Sequence, residues 1–221
     1  GWDNLNFKSI YTFGEYEEKL LKIKNCNYEK LFKVGSLRYG IYKRNFEKRI
    51  NEKNLISFIS QWRPNFDTSL QENISIISNK LLTKIHNVCL QNNKNFRIIP
   101  TNLLNEENFK FEKKFYKKIN NGKFESLIFN KINNYDSYMY AENSNLIITF
   151  CSTLAFELYG IGIKCLFLNL KDEKSYFKSN YFYEIIKHVP DFVKIDKVES
   201  GHIEDKIKYL IQMSNDEYEF L

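Results

Sequence analysis

Two hydroxyls, Ser152 and Thr153, stand five and four residues ahead of one carboxylate, Glu157, in the stretch NLIITFCSTLAFELYGIGIKCLFLNL from Asn145 to Leu170. Hydroxyls at the start of a helix can join its free backbone amides and the positive end of its dipole to hold an anion such as phosphate. An acid about one helical turn further on can accept hydrogen bonds from a sugar hydroxyl. Each residue also has a plainer reading. Ser152 can simply cap a helix, and Glu157, among Leu154, Ala155, Phe156, Leu158 and Tyr159, can pair with a lysine because an unpaired buried carboxylate is costly.

The flanking residues say what positions this group. Leu146 to Phe150 is a β-branched and aromatic run typical of a buried strand, Leu154 to Tyr159 a short apolar helix, and Cys165 to Leu168 a second strand. Gly160 and Gly162 break the helix between them. Strand, turn, helix and strand make one βαβ unit of a parallel sheet. A membrane span is the competing reading of so apolar a stretch, but Glu157, the two glycines and the Ser152-Thr153 pair count against it.

The same alternation extends to both sides. Strands are expected at 55–59, 96–99, 127–129, 146–150, 165–168 and 192–195. Helices are expected from about Asn73, over 106–119, 136–142, 154–159, 181–187 and 203–213. The expected fold class is α/β, a doubly wound, mainly parallel, six-stranded Rossmann-like sheet. Ligands of such sheets lie at the carboxyl ends of the strands. That rule adds Ser60 and Arg63, after the first of these strands, and Pro100, Thr101 and Asn102, after the second, to Ser152, Thr153 and Glu157. Residues 1–50 read as a lead-in, with strands at 9–14 and 32–37, a helix at 15–23 and a polar linker at 43–52; residues 51–221 read as the Rossmann-like domain.

A hydrophobic fraction of 43% over 221 residues, with 19 Phe and 15 Tyr, suffices for a sizeable core. The net charge of +6 is spread over interleaved lysines and acids, and tracts such as Phe109 to Lys114 read as a solvated helix face, so no nucleic-acid partner is expected. A mild positive balance suits anionic small molecules or an anionic membrane surface. The cysteines at 26, 89, 151 and 165 lack metal-ligand spacing, and free buried thiols fit a reducing cytoplasm. His86, His188 and His202 are scattered, so neither a metal cluster nor a triad is expected. No glycine-rich phosphate loop is present, and Cys151-Ser152 lacks the glycines of a nucleophile elbow.

The run Ser144 to Glu157, followed by Gly162 to Phe167, resembles the donor-binding signature of GT-B glycosyltransferases. It is most like bacterial transferases that build capsule, lipopolysaccharide and teichoic acid. There a strand ends in Ser-Thr or Ser-Ser and an acid follows in the next helix. The resemblance covers about 54–213 and implies the C-terminal, nucleotide-sugar-binding half of the enzyme, with residues 1–50 as the end of the N-terminal half and the linker. By position, Ser152 and Thr153 would hold the donor phosphate and Glu157 the ribose. The family's acceptor site and usual catalytic base lie in the N-terminal half, and because the chain begins at Gly1-Trp2 that half is expected upstream. Ile99-Pro100-Thr101 stands where many CMP-sugar members carry a His-Pro pair. The resemblance implies a nucleotide-sugar donor, a carbohydrate or lipid-linked acceptor, no separate cofactor or metal, and work in the cytoplasm at the inner membrane face. A sugar-nucleotide 2-epimerase and a non-catalytic nucleotide- or glycan-binding module are the alternatives.

Overall fold

A computed structural model of the chain describes residues 6–46, 52–62, 68–101, 106–130, 135–150, 152–168, 186, 189–196 and 202–219. The chain divides into two units, Gly1–Lys48 and Arg49–Leu221.

The first unit holds β1 (Asn6–Thr12), α1 (Glu15–Ile23), β2 (Asn27–Lys33) and α2 (Leu37–Asn45). β1 and β2 pair in parallel, which requires the α1 crossover between them. Gly35 takes φ +67°, ending β2 in a turn, and the Ser36 hydroxyl accepts from the Tyr39 amide to start α2. The expected strand at 32–37 therefore ends earlier, and α2 occupies part of what reads as linker.

The second unit is built on a five-stranded, all-parallel sheet in the order β4-β3-β5-β6-β7. Its strands are β3 (Glu52–Ile59), β4 (Asn95–Ile99), β5 (Ser144–Thr149), β6 (Cys165–Leu168) and β7 (Lys194–Ile195). Between them run α3 (Thr68–Gln91), α4 (Glu106–Lys118), α5 (Asp136–Glu142) and α6 (Thr153–Tyr159). α7 (His202–Gln212) and α8 (Asn215–Glu219) close the chain. The expected helix at 181–187 lies outside the described residues apart from Ile186.

The sheet differs from expectation at both edges: of the strand expected at 192–195 only Lys194–Ile195 pairs, after a 3-10 turn over Asp191–Val193. Residues 127–129 contribute a single parallel bridge, Ile98 to Ile128, with the Phe129 amide on the Ile98 carbonyl at 3.0 Å. A 3-10 turn over Glu125–Leu127 is the cause. It engages the Leu127 and Ile128 amides at 3.2 and 3.4 Å, so only Phe129 is left to extend the ladder.

The core follows from the strand sequences. Ile56, Phe58, Ile98, Ile99, Leu146, Ile147, Ile148, Leu166 and Phe167 are all buried, the continuous apolar pattern of strands covered on both faces. Each such side chain contributes roughly 1.5–3 kcal/mol through its removal from water. α3 adds Leu81, Leu82, Ile85 and Val88 and packs against α7, while α5 packs against α6. The Asn145–Leu170 stretch is thus strand, helix and strand through Leu168 rather than a span, and among the described residues no helix is long and apolar enough to cross a membrane.

Candidate functional site at the carboxyl edge of the sheet

Strand order locates the site. β3 runs to β4 on one side, whereas the chain returns from β4 to pair β5 on the other side of β3, so the connections from β3 and β5 lead apart. A crevice at the carboxyl ends of two such strands is the usual ligand position in an open parallel sheet. Across this point the Gln61 side-chain amide donates to the Thr149 hydroxyl at 3.4 Å, both groups being buried. Phe58 and Phe150 meet edge to face at 5.8 Å just below.

On the β5 side, Ser152 occupies the N-cap of α6 in extended backbone conformation, but its hydroxyl makes no capping bond. The reading of Ser152 as a side-chain cap is therefore corrected: the position is that of a cap and the bond is not made. Thr153 is the first helical residue and is exposed. α6 is held by its inner face, with Ala155 and Leu158 fully buried and Phe156 stacked on Phe167 at 4.6 Å. It ends where the Gly162 amide bonds the Tyr159 carbonyl and the Ile163 amide bonds the Leu158 carbonyl, a turn that puts Gly162 at φ +82° and so suits glycine.

Glu157 is half-buried on α6 and accepts a 2.5 Å hydrogen bond from the hydroxyl of Tyr138 on α5. Among the described residues its partner is a neutral phenol, not the lysine that one reading of Glu157 offered. Tyr138 is buried and so needs a partner for its hydroxyl. Its link to Glu157 is invisible along the chain because the two residues lie on separate helices brought together by the strand order.

The β3–β4 side is a framework. The Ser60 amide bonds the Ile99 carbonyl at 2.9 Å, tying the ends of the two strands together. The Ser60 hydroxyl accepts from Tyr116 at 2.7 Å and from the Trp62 amide at 3.3 Å, and its carbonyl accepts from the Thr101 hydroxyl at 2.9 Å. The Thr101 amide in turn donates to the Glu112 carboxylate at 3.0 Å. Burial pushes the Tyr116 phenol far above its usual range, with the Glu112 charge adding to the effect, so it stays a neutral donor. Pro100 is buried behind this network. Arg63 and Asn102 lie outside the described residues.

Glu112 corrects the reading of 109–114 as solvated, since its side chain is fully buried. The signal was present: Glu112, Tyr116 and Ile119 follow at spacings of four and three, one face of a helix. The structure thus joins Ser60 to Thr101 directly, and sets Ser152, Thr153 and Glu157 on the neighbouring strand's loop and helix. Gln61, Thr149, Tyr116, Glu112 and Tyr138 are the supporting residues that sequence reasoning did not single out.

Elsewhere, Cys26, Cys89 and Cys165 are free and buried, and Cys151 lies outside the described residues. Burial pushes the Cys89 thiol up to about 12 and Cys165 higher still, so neither is a nucleophile at neutral pH. Among the described residues, no three His, Cys, Asp or Glu side chains gather as a metal site.

No curated protein matches the chain. The family described as "putative O-antigen biosynthesis protein" matches residues 10–221, nearly the whole chain. With an α/β fold on a parallel sheet and this match across both units, the chain belongs to that family of O-antigen biosynthesis proteins.

Proposed function

We propose that the second unit binds the nucleotide of a sugar donor and that the protein is a GT-B-type glycosyltransferase of surface-polysaccharide assembly. The observation that carries the reading is the Ser152 hydroxyl, uncommitted at a helix start on the carboxyl edge of the sheet and followed on the same helix by Glu157. In this reading the first-turn amides of α6, with the Ser152 and Thr153 hydroxyls, hold the donor phosphate. Glu157 accepts from the ribose. Membership in an O-antigen biosynthesis family supports a carbohydrate substrate.

Right-handed crossovers would send α3 and α5 to opposite faces, giving a doubly wound sheet in which residues 127–129 stand for a third strand reduced to one bridge. Residues 1–50 would then be the end of an N-terminal half and the linker. Ser60, Pro100 and Thr101 shape the crevice wall, and Arg63 and Asn102 complete the set of proposed donor-binding residues. The acceptor in this reading is a carbohydrate, free or lipid-linked, met in the cytoplasm at the inner membrane face. Transfer also requires a general base on the acceptor hydroxyl, a role that none of these residues is assigned.

The test is titration of UDP, CDP and CMP against the 221-residue chain, followed by amide shifts. Saturable shifts at 152–157 and 60–62 are expected. Shifts confined to the amino ends of the strands, or none at millimolar nucleotide, overturn the proposal.

A further inference from the structure

We infer that Tyr138 is a positioning residue that makes the site selective for nucleotides with an intact ribose diol, an inference that rests on the nucleotide reading above. Its hydroxyl donates to Oε2 of Glu157 at 2.5 Å, and no described residue donates to Oε1. A carboxylate offers about four acceptor positions over its two oxygens. One oxygen is therefore held while the other keeps its capacity for a ligand.

The kind of partner matters as much as its presence. A lysine would neutralise Glu157 and compete for it as an ion pair. A phenol fixes the carboxylate and leaves the negative charge, which makes the acceptor stronger toward an incoming hydroxyl. Tyr138 is itself immobilised, only 4% exposed in α5. The bond therefore spans two packed helices, and the rotamer of Glu157 is set before ligand arrives. Setting it in advance lowers the ordering cost of binding. The oxygen left open has two acceptor positions, which the two hydroxyls of a ribose diol can fill and a 2′,3′-dideoxyribose cannot.

The discriminating quantity is a ratio of affinities, which a merely structural tyrosine would not move. UDP, CDP and CMP are titrated against the full chain, and the tightest is compared with its 2′,3′-dideoxy analogue. The measurement is repeated for Tyr138→Phe, which keeps the ring and removes one oxygen, and for Glu157→Gln, with thermal midpoints for each. The native chain should prefer the ribonucleotide by about tenfold, the scale of one charge-assisted hydrogen bond. Tyr138→Phe should cut that preference to about threefold or less while the dideoxy affinity stays the same. A full preference in Tyr138→Phe, together with its loss in Glu157→Gln, overturns the role of Tyr138 and leaves the nucleotide reading standing. Equal affinity of the native chain for both nucleotides removes Glu157 and Tyr138 from ribose recognition. No binding of any of the three nucleotides overturns both readings.

Discussion

Replacing Glu157 by Gln separates a ligand-binding acid from a packing acid, because the two roles predict opposite orders of effect. In the folded chain the carboxylate is half-buried and takes its described hydrogen bond from a neutral phenol. Glutamine keeps the length and one acceptor oxygen, so the Tyr138 bond survives as a neutral one. A hydrogen bond to a charged group contributes about 1.5–3 kcal/mol and a neutral one about 0.5–1.5, which sets the fold's loss at about 1 kcal/mol. For a domain of this size that is a fall of roughly 2–4 °C in Tm. Nucleotide affinity should drop by about 1–2 kcal/mol, roughly 5- to 30-fold in Kd. Both are read on one sample, a urea midpoint and a calorimetric titration. Had Glu157 been neutralising a buried cation, the fold would lose about 3–5 kcal/mol instead. A loss on that scale with unchanged affinity refutes the assignment.

Further outcomes test each unit of the fold by itself. Lys164 is buried with its ammonium on the carbonyls of Leu210 and Met213 and on the Asn145 side chain, so Lys164→Met should cost about 2–4 kcal/mol by denaturant unfolding, as two carbonyls at the end of α7 lose their donor. Burial also lowers the Lys164 pKa below 10.5, with Glu217 acting in the opposite sense, so the unfolded chain binds more protons in that window and stability rises with pH up to about 10.5; the variant should lose this slope, and an unchanged slope refutes the cause. In the first unit, hydrogen bonds from Lys22 at 2.7 Å and Lys33 at 2.9 Å hold the Glu18 carboxyl down to about 2 from 4.5. Its contribution is therefore present above pH 4.5 and lost as pH falls through about 2, and a carboxyl NMR midpoint near 4.5 would contradict the ion-pair geometry.

How much of this was legible along the chain depends on whether local pattern or long-range contact decided the outcome. The strands expected at 146–150 and 165–168 form as Ser144–Thr149 and Cys165–Leu168, because parallel strands covered on both faces must be continuous apolar runs. Helices 15–23 and 136–142 read to the residue. α2 did not, because Leu37 and Ile41 are exposed and aromatic Tyr42 is its buried residue, leaving no apolar stripe to find. Its start was nevertheless written in Gly35-Ser36, a turn followed by a cap. The expected strand at 127–129 failed because three residues are too few to outweigh a 3-10 turn that takes their amides.

The site divides along the same line. Ser60 and Ser152 look alike in sequence, each a small hydroxyl at the end of an apolar strand facing the same edge of the sheet. Hydrogen bonding separates them. Ser60 has its hydroxyl oxygen occupied by Tyr116 and Trp62 and its carbonyl by Thr101, so it spends its polar groups on closing the β3–β4 end. Ser152 stands at a helix start with its hydroxyl outside the cap. Both donors to Ser60 that come from outside its own strand end, Tyr116 and Thr101, lie more than forty residues away, and Glu112 reaches the same loop through the Thr101 amide. Local pattern can nominate a strand-end hydroxyl but carries no record of which one the rest of the fold has already engaged. Under the proposed reading, the one still open is the one that a ligand phosphate would use at no cost in existing bonds, and the acid held by Tyr138 lies about one helical turn beyond it.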